Sequence, residues 1–90
     1  MQTYTGLSPA LKEPDKVQVL DFSSQGLTEI PVEIGQLTNL TLLSLAGNQI
    51  QVIPTEIGDL LNLQILQLGY NSLNLIPPEL DKLTNLEVLN

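Results

Sequence analysis

Ninety residues allow one domain, at the small end of what can bury a core of its own. Ten acidic residues against three lysines give a net charge of −7, so the chain repels phosphate backbones and anionic lipid, and no nucleic acid and no membrane insertion are expected. With no cysteine and no histidine, disulfides, thiol chemistry and most zinc or nucleophilic catalysis are also out of reach.

The first segment, residues 1–16, reads as an N-terminal cap. Met1-Gln2-Thr3-Tyr4 has neither a basic nor an apolar leader region, so this chain shows no signal peptide. A longer natural N-terminus would leave secretion open, and the compartment is unassigned. No apolar run approaches the roughly 18 residues of a membrane span. Ser8-Pro9-Ala10-Leu11-Lys12 predicts a short helix with Ser8 as N-cap and Pro9 at its first position, ended by Pro14. Leu7 and Leu11, four apart, would lie over the core of whatever follows.

From Val17 onward one pattern recurs every 23 residues. Pro31, Pro54 and Pro77 keep that spacing, as do Leu20, Leu43 and Leu66, and Asn39, Asn62 and Asn85; Asn48 and Asn71 share it. The units are 17–39, 40–62 and 63–85, with 86–90 opening a fourth. A fixed period of this size means a stacked solenoid, and it places function on a repeated surface rather than in a pocket.

The middle unit shows what each repeat does. Leu43 and Leu45 repeat with period two, which predicts a short strand with both leucines facing one way. Gly47 and Asn48 then turn the chain, and the Asn side chain can satisfy backbone groups where the ladder stops. Pro54 leads into a helical turn, and Ile57 and Leu60, three apart, give that turn one buried side. Ordering the backbone costs about 1–2 kcal/mol per residue, more than one thin unit recovers, so units must share buried faces.

These residues carry a resemblance. Leu40-x-x-Leu43-x-Leu45-x-x-Asn48-x-Ile50-x-x-Ile53-Pro54-x-x-Ile57-x-x-Leu60 resembles the 23-residue leucine-rich repeat. Leu63, Leu66, Leu68, Asn71, Leu73, Ile76, Pro77, Leu80 and Leu83 repeat it. The first unit departs, with Gln25 where Asn is expected. The wording around Ile34-Gly35-Gln36-Leu37-Thr38-Asn39-Leu40 is similar to bacterial proteins of this family, the spirochaete type in particular. The resemblance implies an α/β fold: a curved right-handed solenoid with a parallel concave sheet of about four short strands and 3₁₀ or α turns on its convex side. It also implies protein–protein binding, expected through the concave face, while the missing histidine and cysteine argue against enzyme activity and no cofactor is expected.

In that geometry the residues between the buried leucines form columns on the concave face. Val19, Leu42, Ile65 and Val88 make an aliphatic row; Asp21, Ser44, Gln67 and Asn90 a polar one; Ser23, Ala46 and Gly69, then Ser24, Gly47 and Tyr70, complete it. Aliphatic residues suit strands for their own sake, but a contiguous exposed apolar row also marks interaction sites. Tyr70 is either an interface anchor or a cover for its own turn. The expected protein-binding residues are therefore Val19, Asp21, Leu42, Ser44, Ile65, Gln67, Tyr70 and Val88.

Glu33, Glu56 and Glu79 form a convex ladder of first-turn carboxylates, favoured by the turn dipole and lacking the pocket that acid–base chemistry needs. Asp59 is expected to pair weakly with Lys82 one unit later. The Asn39-Leu40-Thr41 sequon falls at a buried strand start. The last segment, Leu86 to Asn90, begins a strand whose outer face is bare. A fragment, a frayed end, or a homo-oligomer joined through that edge would each account for it.

Overall fold

The computed structural model describes residues 2–89, and Asn90 of the polar row therefore lies outside the described residues. Five strands form one parallel sheet in sequence order: β1 (Thr3–Tyr4), β2 (Val19–Asp21), β3 (Leu42–Ser44), β4 (Ile65–Gln67) and β5 (Val88–Leu89). Each repeat contributes one strand, and β2 to β5 pair in the register of the 23-residue period, with Val19 beside Leu42, Leu42 beside Ile65 and Ile65 beside Val88. The ladder continues past the strands, through Phe22 N to Ser44 O at 2.8 Å and Gly47 N to Gly69 O at 2.9 Å.

On the other side, each proline precedes a five-residue 3₁₀ turn: Val32–Gln36, Thr55–Asp59 and Pro78–Lys82. The proline has no N–H to lose, and its carbonyl accepts the first turn bond, from Ile34, Ile57 and Leu80 at 3.1 Å each. Between sheet and turns runs one core in which Leu20, Leu43 and Leu66 stack, with Ile34, Ile57, Leu40, Leu60 and Leu63 fully buried behind them. The 3₁₀ turns approach so closely that a Cβ on Gly35 would sit 3.2 Å from Glu56 O, and one on Gly58 3.0 Å from Glu79 O. Glycine at these two positions sets the layer spacing on the turn side.

The N-terminal segment adds a strand and a helix against the first repeat, the strand beyond the sequence expectation. β1 adds a strand to the four that the repeats provide, pairing Thr3 with Val19 and Tyr4 with Leu20. Tyr4 thereby takes a core position, and its hydroxyl donates to Glu13 Oε2 at 3.1 Å. Burial, seconded by that carboxylate, pushes the phenol pKa up. The helix α1 spans Leu7–Lys12 with Gly6, not Ser8, as its N-cap and without a side-chain cap bond. Pro9 tolerates this because the third residue of a helix has no N–H partner to lose. Ala10 is the buried residue of α1, and Leu7 and Leu11 pack half-buried against the core.

Candidate functional site

The aliphatic row lies on the outward face of the sheet. Val19, Leu42 and Ile65 are half-buried, each flanked by the next at the ~4.8 Å strand spacing, and Val88 is 40% exposed. Adjacent side chains shield one another, so the row presents a low continuous ridge rather than four free residues. Asp21 and Gln67 stand half-exposed in the next row, whereas Ser44 between them is only 6% exposed. Its side chain is the smallest of the three, so Ser44 offers a partner little surface. Asp21 accepts from the Ser23 hydroxyl at 2.6 Å and the Ser23 N–H at 2.9 Å, and these bonds hold its carboxyl below the usual range.

Asparagine fixes the turn that follows. The Asn48 amide donates to Phe22 O and Leu45 O, both at 2.9 Å, and its carbonyl accepts from Gln25 N and Leu27 N at 3.0 Å. One side chain thus satisfies four backbone groups in two layers, which is why Asn recurs here. Asn71 does the same with Leu45 O at 2.8 Å, Leu68 O at 3.0 Å and Ile50 N at 3.1 Å. Gln25, the departure in the first repeat, reaches Thr5 O at 3.0 Å and so ties its turn to the cap. The second asparagine series does parallel work: Asn39, Asn62 and Asn85 donate to Asp15 O, Thr38 O and Leu61 O in the preceding layer, at 2.8, 2.9 and 3.1 Å. With Asn39 so engaged and Leu40 buried, the sequon is a structural element.

Ser24, Gly47 and Tyr70 share an unusual backbone, with φ of 55°, 72° and 58°. The left-handed region suits Gly and is uncommon for a bulky residue. A Cβ on Gly47 would lie 2.8 Å from Ser24 Oγ, so the column has room for side chains only in alternate layers. Tyr70 uses that room and is 93% exposed, which excludes a role in covering its own turn.

The turn side is acidic. Glu33, Glu56 and Glu79 head successive 3₁₀ turns, and among the described residues no three carboxylates converge as a metal site requires. Asp59 and Lys82 do not pair: each leans back over the glycine of the preceding layer, Asp59 toward Gly35 and Lys82 toward Gly58. Among the described residues the one ion pair is Lys16 with Glu13 at 3.4 Å. Between sheet and turns, Val52 and Leu75 pair through a parallel bridge yet stay exposed, Leu75 at 74%. With Ile76, Pro77, Pro78 and Glu79 they line an open cleft of about 500 Å³. Sequence reasoning missed this flank because Val52 and Leu75 adjoin the motif isoleucines Ile53 and Ile76, of which Ile53 alone is buried. Glu29 at the equivalent place in the first repeat was the available signal that the position faces solvent.

The leucine rich repeat family model matches residues 38–90. The chain belongs to the leucine-rich repeat family. Solved leucine-rich repeat structures align with it over nearly its whole length. A Leptospira interrogans LRR protein is 38% identical over 100% of this chain, with a TM-score of 0.61, and internalin C2 of Listeria monocytogenes is 34% identical over 96%, with a TM-score of 0.80. A plant peptide hormone receptor, RGFR1 in complex with RGF2, is 37% identical over 93%, with a TM-score of 0.75. The chain spans 29%, 36% and 14% of those three chains respectively. No curated protein sequence matches it significantly. Leucine-rich repeat domains generally mediate protein–protein interaction and are typically non-enzymatic. In this fold the sheet face that carries Val19, Leu42 and Ile65 is the concave one, and the glutamate ladder lies on the convex side.

Proposed function

We propose that this chain is a non-enzymatic protein-binding module that engages its partner through the concave sheet, using Val19, Leu42, Ile65 and Val88 with Asp21, Gln67 and Tyr70. The observation that carries this reading is the in-register aliphatic row on the outward sheet face. A continuous apolar ridge bordered by polar side chains is the surface composition of interaction sites. The peptide-hormone receptor, solved in complex with RGF2, lends the reading support by analogy. The test is selection of binders from a displayed random-peptide library on the folded chain. Enriched peptides should lose binding to Leu42→Glu and Ile65→Glu and keep it for Glu33→Gln on the convex side. Peptides that bind the two concave variants as well as the parent would refute the reading.

A second reading rests on the last layers of the stack, where Leu89 is 51%, Ile76 54% and Val88 40% exposed. These apolar side chains and the β5 edge suit a covering layer from a second copy of the chain. Light scattering decides it: a concentration-independent mass near 9.8 kDa would exclude self-association.

A further inference from the structure

The concave reading can be taken one step further, to the chemistry of the partner. Three observations converge. From Val17 to Asp81 the chain contains no lysine, arginine or histidine, and the one cation of the repeats, Lys82, sits in the last 3₁₀ turn, away from the sheet face. On the concave face Asp21 is held ionised by the two bonds from Ser23, with its charge at the half-exposed edge of the polar row. At the other end of the face Tyr70 is held in a left-handed backbone that disfavours it, with its ring almost wholly in solvent. The fold gains no packing from that ring.

A residue kept in an unfavourable conformation without structural return points to a contact outside the molecule. The ring rises beside Gly47 and Gly69, neither of which has a side chain to crowd it, and it offers an aromatic face on the rim. Asp21 and Tyr70 belong to the first and third repeats, about 10 Å apart along the stack and offset by three residues, roughly another 10 Å, along the strand direction, or about 14 Å in all. An extended segment crossing the strands diagonally covers that distance in about four residues. The aliphatic ridge borders the Asp21 end of this path, two residues back along each strand.

We propose, resting on the concave reading, that the partner is a cationic protein segment laid in extended form across the strands. One lysine or arginine pairs with Asp21, a second packs over the Tyr70 ring, and apolar side chains on the Asp21 end of the segment rest on Leu42 and Ile65. Charge complementarity selects this partner, since an acidic segment meets only like charge. The ring adds a cation–π contact that a serine or glycine at the same place in the other repeats cannot make.

The probes are two synthetic peptides of equal length, one alternating leucine with lysine and the other leucine with glutamate. Binding is followed by NMR of the Tyr70 ring and the Val19, Leu42 and Ile65 methyl groups. The lysine peptide should shift these four residues and weaken as salt rises, and the glutamate peptide should leave them unmoved. Tyr70→Gly, which removes the ring and relieves the backbone, should weaken the lysine peptide about tenfold, as loss of an aromatic hot spot does. Tyr70→Phe should retain it, and Asp21→Asn should flatten the salt dependence. Equal binding of both peptides, shifts confined to Val52, Leu75 and Ile76 on the flank or to the convex glutamates, or a neutral Tyr70→Gly would each overturn the proposal. Library peptides that depend on Leu42 and Ile65 but carry no cationic excess would also overturn it, while leaving the concave reading intact.

Discussion

The second and third repeats carry almost the same motif and meet different fates. In residues 40–62 the side chains Leu43, Leu45, Ile50, Ile57 and Leu60 are all fully buried. In residues 63–85, Leu73 and Leu80 at the positions of Ile50 and Ile57 remain partly exposed, and Ile76 is more than half so. The motif specifies which way each side chain points, and the neighbouring layer decides how much water it loses. Stability in such a stack is therefore a property of interfaces more than of units. The asparagines say the same: Asn48 bonds two N–H groups of the preceding turn, Gln25 and Leu27, while Asn71 accepts one, from Ile50.

Core truncation is the strongest way to break this comparison. Ile57→Ala should cost about 2–5 kcal/mol, because a fully buried site between two layers cannot collapse around the lost atoms. Leu80→Ala, partly solvated already, should cost less than half as much. Paired urea titrations measure both. Equal losses would mean that the outer layer is as tightly packed as the middle one.

The asparagine pair comes next. Asn48→Ala strands two N–H and two C=O groups and should cost about 3 kcal/mol, with Asn71→Ala nearer 1–2. Hydrogen exchange at Gln25, Leu27 and Ile50 adds the location: the first two amides should lose protection with Asn48→Ala alone, and Ile50 with Asn71→Ala alone.

Gly58→Ala follows, at roughly 1–3 kcal/mol, since the new methyl would meet the Glu79 backbone at 3.0 Å and the turns would have to part. The third repeat has Asp81 at this position, so its turn presents a side chain where the first two present bare backbone. Thermal unfolding of Gly58→Ala beside Asp81→Ala checks the contrast; the latter should change little.

What the sequence made legible follows from which signals repeat. Strands β2 to β5, the prolines before each turn and the buried leucines recur with the period, so each reinforces the others. β1 carries no such signal: two residues are too few to show alternation, and Thr3 meets Val19 at a spacing unrelated to the repeat. Gly6 displaced Ser8 as the cap because a six-residue helix held by packing does not need its cap bond. The expected Asp59–Lys82 pair failed on direction, since opposite charge says nothing about which way two side chains lean. On the concave face the row was legible, and the burial of Ser44 was not, because it depends on the size of Asp21 and Gln67 beside it.

The smallest effect is the one whose sign matters most. At the position where the second repeat has Gly47, the third has Tyr70, in the same left-handed backbone. For an L-residue that conformation costs about 1–2 kcal/mol. Replacing it with glycine removes this strain but gives the unfolded chain more freedom, which costs about 0.5–1 kcal/mol. The exposed ring contributes no burial to offset the difference, so Tyr70→Gly should stabilise the fold by about 0.5 kcal/mol, read as a small rise in Tm. The reverse change, Gly47→Ala, meets both the backbone penalty and Ser24 Oγ at 2.8 Å, and should destabilise. A Tyr70→Gly variant that is less stable than the parent would mean that the ring serves the fold, and the argument for an external contact would lose its premise.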